Sequence, residues 1–371
     1  EARVRWNTPG SYRLRVNQLD RFPLNGSGDL TSREHWGRHR LRIAPQTEVG
    51  PLAVHLELDV LSGQVFGETE PIGARFAERR QPDPNLTYDG WTTVVPRQAW
   101  FEFDTPWVRL ALGQMSDEWG LGLVYGSGRP DSSERERKWA FRFGDRWNGD
   151  LVDQVVISVR PLAPFLYSTM QRLTVSLGAG YTYEDENASA LDGDSSVLFL
   201  GRIDYPGDEV TVGLNGTERI QTDKSGDELE LTRLNAYAAW EIPLILIGAE
   251  LRVRGELAYL VGRNGRFKLA ESEEPYILQG HAGVFQADLA FLCPWLSMSL
   301  DGGWMSGDGE PHDGRHETFV ADPDFKVGLV LFDDVLRLVT ARAAERLADA
   351  AIRSRSVDAD KREEEEARLL Q

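Results

Sequence analysis

Apolar and polar residues alternate with a period of two along much of the chain. In Arg97–Gln114, RQAWFEFDTPWVRLALGQ, the residues Ala99, Phe101 and Phe103 point one way, and Gln98, Glu102 and Asp104 the other. Beyond Asp104-Thr105-Pro106, Val108, Leu110 and Leu112 oppose Arg109, Ala111 and Gly113. Successive strand residues alternate faces, so the pattern predicts a tight antiparallel hairpin with one apolar and one charged face. The same grammar recurs with short turns near Gly50-Pro51, Pro206-Gly207, Pro243 and Pro294. Such turns span about two to four residues, the usual hairpin length. Several have an aromatic residue close by: Trp107, Tyr205, Trp240 and Trp295.

The opposite ends of these hairpins carry long polar connections over 63–94, 127–134, 184–195, 222–227 and 263–275, rich in Asp, Glu, Gly, Ser and Asn. Short turns at one end, long loops at the other and aromatic residues at the interfaces are the grammar of an outer-membrane barrel. Leu173, Val175, Leu177, Ala179, Tyr181 and Tyr183 form one face of a long strand, against Arg172, Thr174, Ser176, Gly178, Gly180 and Thr182. Runs of about ten residues suit tilted strands crossing a bilayer. About 12 to 14 such strands can be counted by pattern. The expected fold is therefore all-β, an antiparallel transmembrane β-barrel over residues 1–332. On this reading Phe101, Phe103, Leu110, Leu112, Leu177, Leu251 and Leu257 face lipid. The competing expectation is a large soluble barrel or sandwich with the apolar face inside.

Composition changes this picture little. Among 371 residues, 41% are hydrophobic, and 11 Trp and 36 Gly suit a β protein with many turns. No apolar run approaches the ~18–20 residues of a membrane helix, but a membrane barrel leaves no such run. The net charge of −18 argues against nucleic acid as a partner, because duplex binding needs a basic footprint. Cys293 is the single cysteine, which excludes an intrachain disulfide and a cysteine-based zinc site. The chain begins at Glu1 with no methionine, which suggests a removed signal or a fragment.

Charges on the polar faces are the candidate pore lining. Arg38, Arg40 and Arg42 alternate on one strand, and Glu57 and Asp59 follow His55 on the next. Glu102, Arg109, Arg172 and Arg202 continue the series, and Glu250, Arg252, Arg254 and Glu256 form a strip of four. Opposed charges across a lumen orient permeating solutes and set ion preference. The same residues read equally as an ion-paired plug of a narrow lumen. Arg38–Arg42 and His55–Asp59 suggest partners for the strip of four, with no strand adjacency assigned.

Other chemistry is sparse. Trp119-Gly120-Leu121-Gly122 reads as a constriction beside the pore or, preferably, as a packing kink, since strand glycines mark bulges and close backbone approach. His312 and His316 have a metal-ligand spacing, but Pro311 and Gly314 make the segment a loop, so no metal site is assigned. The acidic runs YEDENASALDGDSS and ESEEP carry oxygen ligands without a calcium-loop template. No Gly-x-Ser-x-Gly elbow or Walker loop is evident. No cofactor and no catalytic residue is assigned.

From Asp333 the period changes. DDVLRLVTARAAERLADAAIRSRSVDADKREEEEARLL sets Val335, Leu336, Val339, Ala343 and Leu347 on one helical stripe, so 333–371 is expected to be helical and charged. Outer-membrane barrels usually end in an aromatic-terminated strand. This chain ends EEEEARLLQ, so either the helix precedes missing strands or the barrel closes by other means, and a fragment is expected.

The run LALGQMSDEWGLGLVYGSG, with HRLRIAPQTEVGPLAVHLELDVLSGQVFG and DPDFKVGLVLFDDVLRLVT, resembles an uncharacterised family of bacterial porin-like outer-membrane barrels. The resemblance runs patchily from Tyr12 to Thr340. It implies a lipid-embedded barrel with a late helical insertion and carries no functional residue with it. Alginate-export-type barrels are more distantly similar. The sequence thus points to a passive outer-membrane pore or exporter for small polar solutes or polysaccharide, in contact with membrane lipid and lipopolysaccharide. The alternatives are a membrane-embedded hydrolase, marked by a clustered Ser/His/Asp or Asp/His group at one rim, and a soluble polysaccharide-binding β-domain.

Overall fold

The structure is a computed structural model that describes residues 4–19, 34–67, 94–128, 149–165, 169–185, 187–265, 275–291, 296–309, 313–322 and 325. Its strands are β1 (Val4–Asn7), β2 (Gly10–Leu19), β3 (Glu34–Ile43), β4 (Gln46–Val49), β5 (Leu52–Gly67), β6 (Val95–Asp104), β7 (Val108–Met115) and β8 (Leu151–Val159). They continue with β9 (Thr174–Glu184), β10 (Ser195–Pro206), β11 (Val210–Thr222), β12 (Glu228–Leu244), β13 (Ala249–Asn264), β14 (Tyr276–Phe291), β15 (Ser297–Met305) and β16 (Arg315–His316). All belong to one 16-stranded sheet, ordered sequentially from β4 to β15. That exceeds the expected 12 to 14 because β1, β4 and β16 have only 4, 4 and 2 residues, too few to show a period of two. The helix expected over 333–371, and the domain boundary before it, lie outside the described residues.

The chain divides into two compact units. One comprises Glu1–Arg13, Arg40–Ser62 and Trp91–Gly328, and the other Leu14–His39, Gly63–Gly90 and Leu329–Gln371. In the smaller one, Gly37 lies under the Phe66 ring, where a Cβ would stand 2.2 Å from a ring carbon.

In the larger unit the opening hairpin forms as its alternation predicts, with Phe103 opposite Leu110 and Asp104 opposite Arg109. Thr105 closes the turn: its N–H reaches the Val108 carbonyl at 2.9 Å, and its Oγ1 accepts the Val108 N–H at 3.0 Å. The turn expected near Pro243 forms just beyond it. Pro243 still pairs with Glu250, and the chain reverses through the 3-10 turn Ile245–Ile247.

Exposure alternates along these strands, with the apolar side outward. Leu177 is 67% exposed, Leu257 54%, Leu112 50% and Phe103 36%. Phe101, Leu110 and Leu251 are half-buried, and none of the seven residues assigned to lipid is buried. Trp107 and Trp240 are exposed at the short-turn end, and Tyr205 is half-buried there, while Trp295 lies outside the described residues. β12, β13 and β14 have 17, 16 and 16 residues. At about 3.3 Å per residue each spans about 50 Å, enough to cross a ~30 Å hydrocarbon core at a tilt.

The inward face is not uniformly polar. Leu229, Leu231 and Leu278 form one buried cluster. Leu121, Leu123, Val124, Tyr125, Ala258, Ala282, Val284 and Phe319 form another. Inward Leu198 and Leu200 are buried too. The inward charges therefore share the interior with apolar packing.

Candidate functional site

The interior is organised by residues 117–128, which leave β7 and fold inward. Asp117 meets Arg202, and the Trp119 indole N–H donates to Asp204 at 3.0 Å. The Leu121 N–H donates to Glu256 at 2.7 Å, the Tyr125 hydroxyl meets Thr217, and the Gly128 carbonyl accepts from Arg42 at 3.2 Å. β5, which holds the carboxylates that grip Arg42, and β13, which carries Glu256, are eight strand spacings apart in the sheet order, about 38 Å if flat. Seven residues of chain reach at most about 24 Å, and this stretch includes a turn closed by the Gly122 N–H on the Trp119 carbonyl. The sheet therefore curls around the segment.

The glycines make this path available. Gly120 has φ +65°, and a Cβ there would stand 2.6 Å from a Glu256 carboxylate oxygen. Gly122 has φ +82°. Such backbone favours glycine, whose lack of a Cβ also permits the close approach. The Trp119-Gly120-Leu121-Gly122 element thus turns inward, with its glycines permitting close backbone approach to Glu256.

The sequence-assigned charges fall in distinct groups. Arg42 grips Asp59 through two bonds of 2.7 and 2.9 Å and lies 3.2 Å from Glu57, and Arg40 reaches the Gly128 carbonyl at 3.4 Å. Arg38 lies in β3, but its side chain is outside the described residues. Glu102 accepts from Arg109 at 2.8 Å and lies 3.7 Å from His55, which stacks on Trp100 at 3.8 Å.

Glu250, Arg252, Arg254 and Glu256 share the inward face of β13, the last three buried and Glu250 half-buried. Two of them pair with neighbouring strands. Arg252 pairs with Glu241 of β12 at 3.3 Å, and Arg254 with Asp288 of β14 at 3.4 Å. Arg172 departs from expectation. It ends the 3-10 turn Thr169–Arg172 ahead of β9, is half exposed and pairs with Asp208. That carboxylate raises the Arg172 guanidinium pKa above its ordinary value.

Several functional candidates carried no local signal. Asn235 donates to Glu256 at 3.0 Å, Arg219 pairs with Asp185, and Arg233 lies 5.4 Å over the Tyr125 ring. Each pairing joins different strands or a strand and a loop, so spacing within one strand could not reveal it.

Toward the short-turn end the inward segment floors a cavity of about 760 Å3, lined among others by Arg109, Asp117, Glu118, Gln154, Arg160, Arg172, Arg202 and Asp204. At the other end, Asp308 and His316 lie 3.5 Å apart, but Ser306 Oγ donates to the Glu317 carbonyl at 2.6 Å instead of to that histidine. His312 lies outside the described residues, among which no group of three metal-ligating side chains occurs.

No family model matches the chain, and no curated protein does. Among solved structures, it is similar to the outer-membrane channel DcaP of Acinetobacter baumannii, at 12% identity over 82% of this chain and 79% of that one, with a TM-score of 0.43. A loop-deletion mutant of OmpT, an outer-membrane protein of Vibrio cholerae, is 8% identical over 82% and 94%, with a TM-score of 0.35. An anion-selective porin from Comamonas acidovorans is 11% identical over 78% and 89%, with a TM-score of 0.24. Likenesses this loose carry no functional weight, and the reading below rests on the chain's own geometry.

Proposed function

We propose that this chain is a porin-like β-barrel of the bacterial outer membrane that passes small polar solutes and catalyses no reaction. The carrying observation is the inverted distribution of polarity. Leu177, Leu214, Leu234 and Leu257 are 67, 59, 55 and 54% exposed, whereas Glu57, Glu256 and Asp288 are each 1% exposed. In water this arrangement would expose apolar surface and bury ions at great cost. In a bilayer it is the favourable one, because lipid takes the outward face and the inward charges pair or hydrate.

A small solute suits this interior better than polysaccharide. The inward segment crosses the space that a polymer would thread, and the cavity of about 760 Å3 beneath it is the size of a small-molecule site. The test is single-channel recording of the full chain in planar bilayers. Discrete conductance steps are expected. A folded, inserted protein that conducts nothing would overturn the channel reading.

A further inference from the structure

The charges that meet the inward segment do not all cancel. Four arginines line the cavity beneath it, and each holds a carboxylate: Arg109 with Glu102 at 2.8 Å, Arg160 with Asp104 at 3.0 Å, Arg172 with Asp208, and Arg202 with Asp117. Asp204 lines the same cavity and is half-buried on the inward face of β10, where the adjacent Ile203 is 49% exposed on the outward one. Its one hydrogen bond comes from a neutral donor, the Trp119 indole at 3.0 Å on Oδ1, and it forms no salt bridge among the described residues. Arg202, two residues away on the same face, gives its bonds to Asp117 and Asn215. Two residues further along the inward segment, Leu121 meets a second carboxylate without a cation. The partners of Glu256 are the Leu121 and Leu123 N–H groups and the Asn235 amide, all neutral. The arginines beside it on β13 are committed elsewhere, Arg252 to Glu241 and Arg254 to Asp288. Two negative charges without a salt-bridge partner therefore hold the stretch Trp119–Leu121.

We propose that Asp204, backed by Glu256, makes this pore select small cations over anions. The inference deepens the channel reading and rests on it. Paired charges of opposite sign largely cancel a short way off, whereas an unpaired one acts on every ion that passes, and carboxylates lining a passage favour cations. The two residues have different parts. Asp204 faces the cavity directly, and its Oδ2 takes no hydrogen bond among the described residues. Glu256 is 1% exposed and acts through its field alone. The net charge of −18 on the chain works in the same direction, by raising the concentration of cations near the protein.

The reversal potential of the full chain in planar bilayers, across a potassium chloride gradient near about 0.1 M, tests this, because the screening length there is still about 10 Å. Potassium should permeate more readily than chloride. Asp204→Asn keeps an oxygen for the Trp119 indole and removes the charge, so the potassium-to-chloride permeability ratio should fall about threefold or more. Asp204→Glu keeps the charge and should keep the preference, a rescue that a merely structural role for Asp204 would not produce. If the asparagine variant does not insert, Asp204→Ser, which offers a hydroxyl acceptor, takes its place. Channels that prefer chloride, or an unchanged ratio in the neutral variant, would overturn the inference and leave the channel standing. The absence of any conductance would overturn both.

Discussion

Glu256 is the most consequential single contact between the inward segment and the wall. Its carboxylate accepts the Leu121 N–H at 2.7 Å, the Leu123 N–H and the Asn235 amide at 3.0 Å, in a residue that is 1% exposed. Replacing it with alanine leaves three donors without their acceptor. A buried donor left unsatisfied costs about 1–3 kcal/mol, so the variant should lose about 3–9 kcal/mol if water does not enter. Glu256→Gln keeps one acceptor oxygen and loses the charge, and should lose about 1–2 kcal/mol. The inward segment makes no ladder bonds of its own, so the loss should first release residues 119–125 and leave the strands intact. The assay pairs single-channel recording with limited proteolysis. The alanine variant should conduct more than wild type and be cut near Gly120–Gly122, and glutamine should lie between. An alanine variant with wild-type conductance, protease resistance and thermal midpoint would refute the latch.

Two further outcomes follow from the pairing across strands and from the outward face. Converting Arg252 and Arg254 together to methionine strands Glu241 and Asp288. Breaking a buried pair costs about 3–5 kcal/mol, so thermal unfolding in detergent should show a large loss of stability, exceeding any shift in ion preference, and adding Asp288→Leu should recover part of it. Leu257→Arg, at a 54% exposed outward position, should destabilise insertion into vesicles by about 2–4 kcal/mol, whereas near-zero change on folding titration would indicate a surface facing water.

The sheet was largely legible because its signal is local. The faces of Arg97–Gln114 follow from residue parity alone, and Phe103, Leu112 and Glu102 take the sides that parity assigns. Where parity lost contrast, the reading failed. In Val197-Leu198-Phe199-Leu200 every residue is apolar, so buried Leu198 and Leu200 could not be told from exposed Val197 and Phe199. The interior was illegible for a different reason. Glu256 and Leu121 are 135 residues apart, and Arg254 meets Asp288 34 residues away, and neither partner can be chosen without the strand order. Arg172 looked like a strand residue because the alternation of Thr174 to Thr182 extends back to it, although the chain has already turned at Thr169–Arg172.

The central claim is that the apolar face of the strands meets lipid, and the most direct test is a nitroxide scan of residues 251–259 in reconstituted protein after Cys293→Ser. Collision with oxygen, which concentrates in lipid, is compared with collision with a water-soluble nickel chelate at each position. The outward residues Leu251, Val253, Leu257 and Tyr259 should show high oxygen and low nickel accessibility, and the inward positions of Arg252, Arg254 and Glu256 should not, giving a period of two. Nickel accessibility at the outward positions equal to that of an exposed loop site such as Ser225 would contradict the membrane reading.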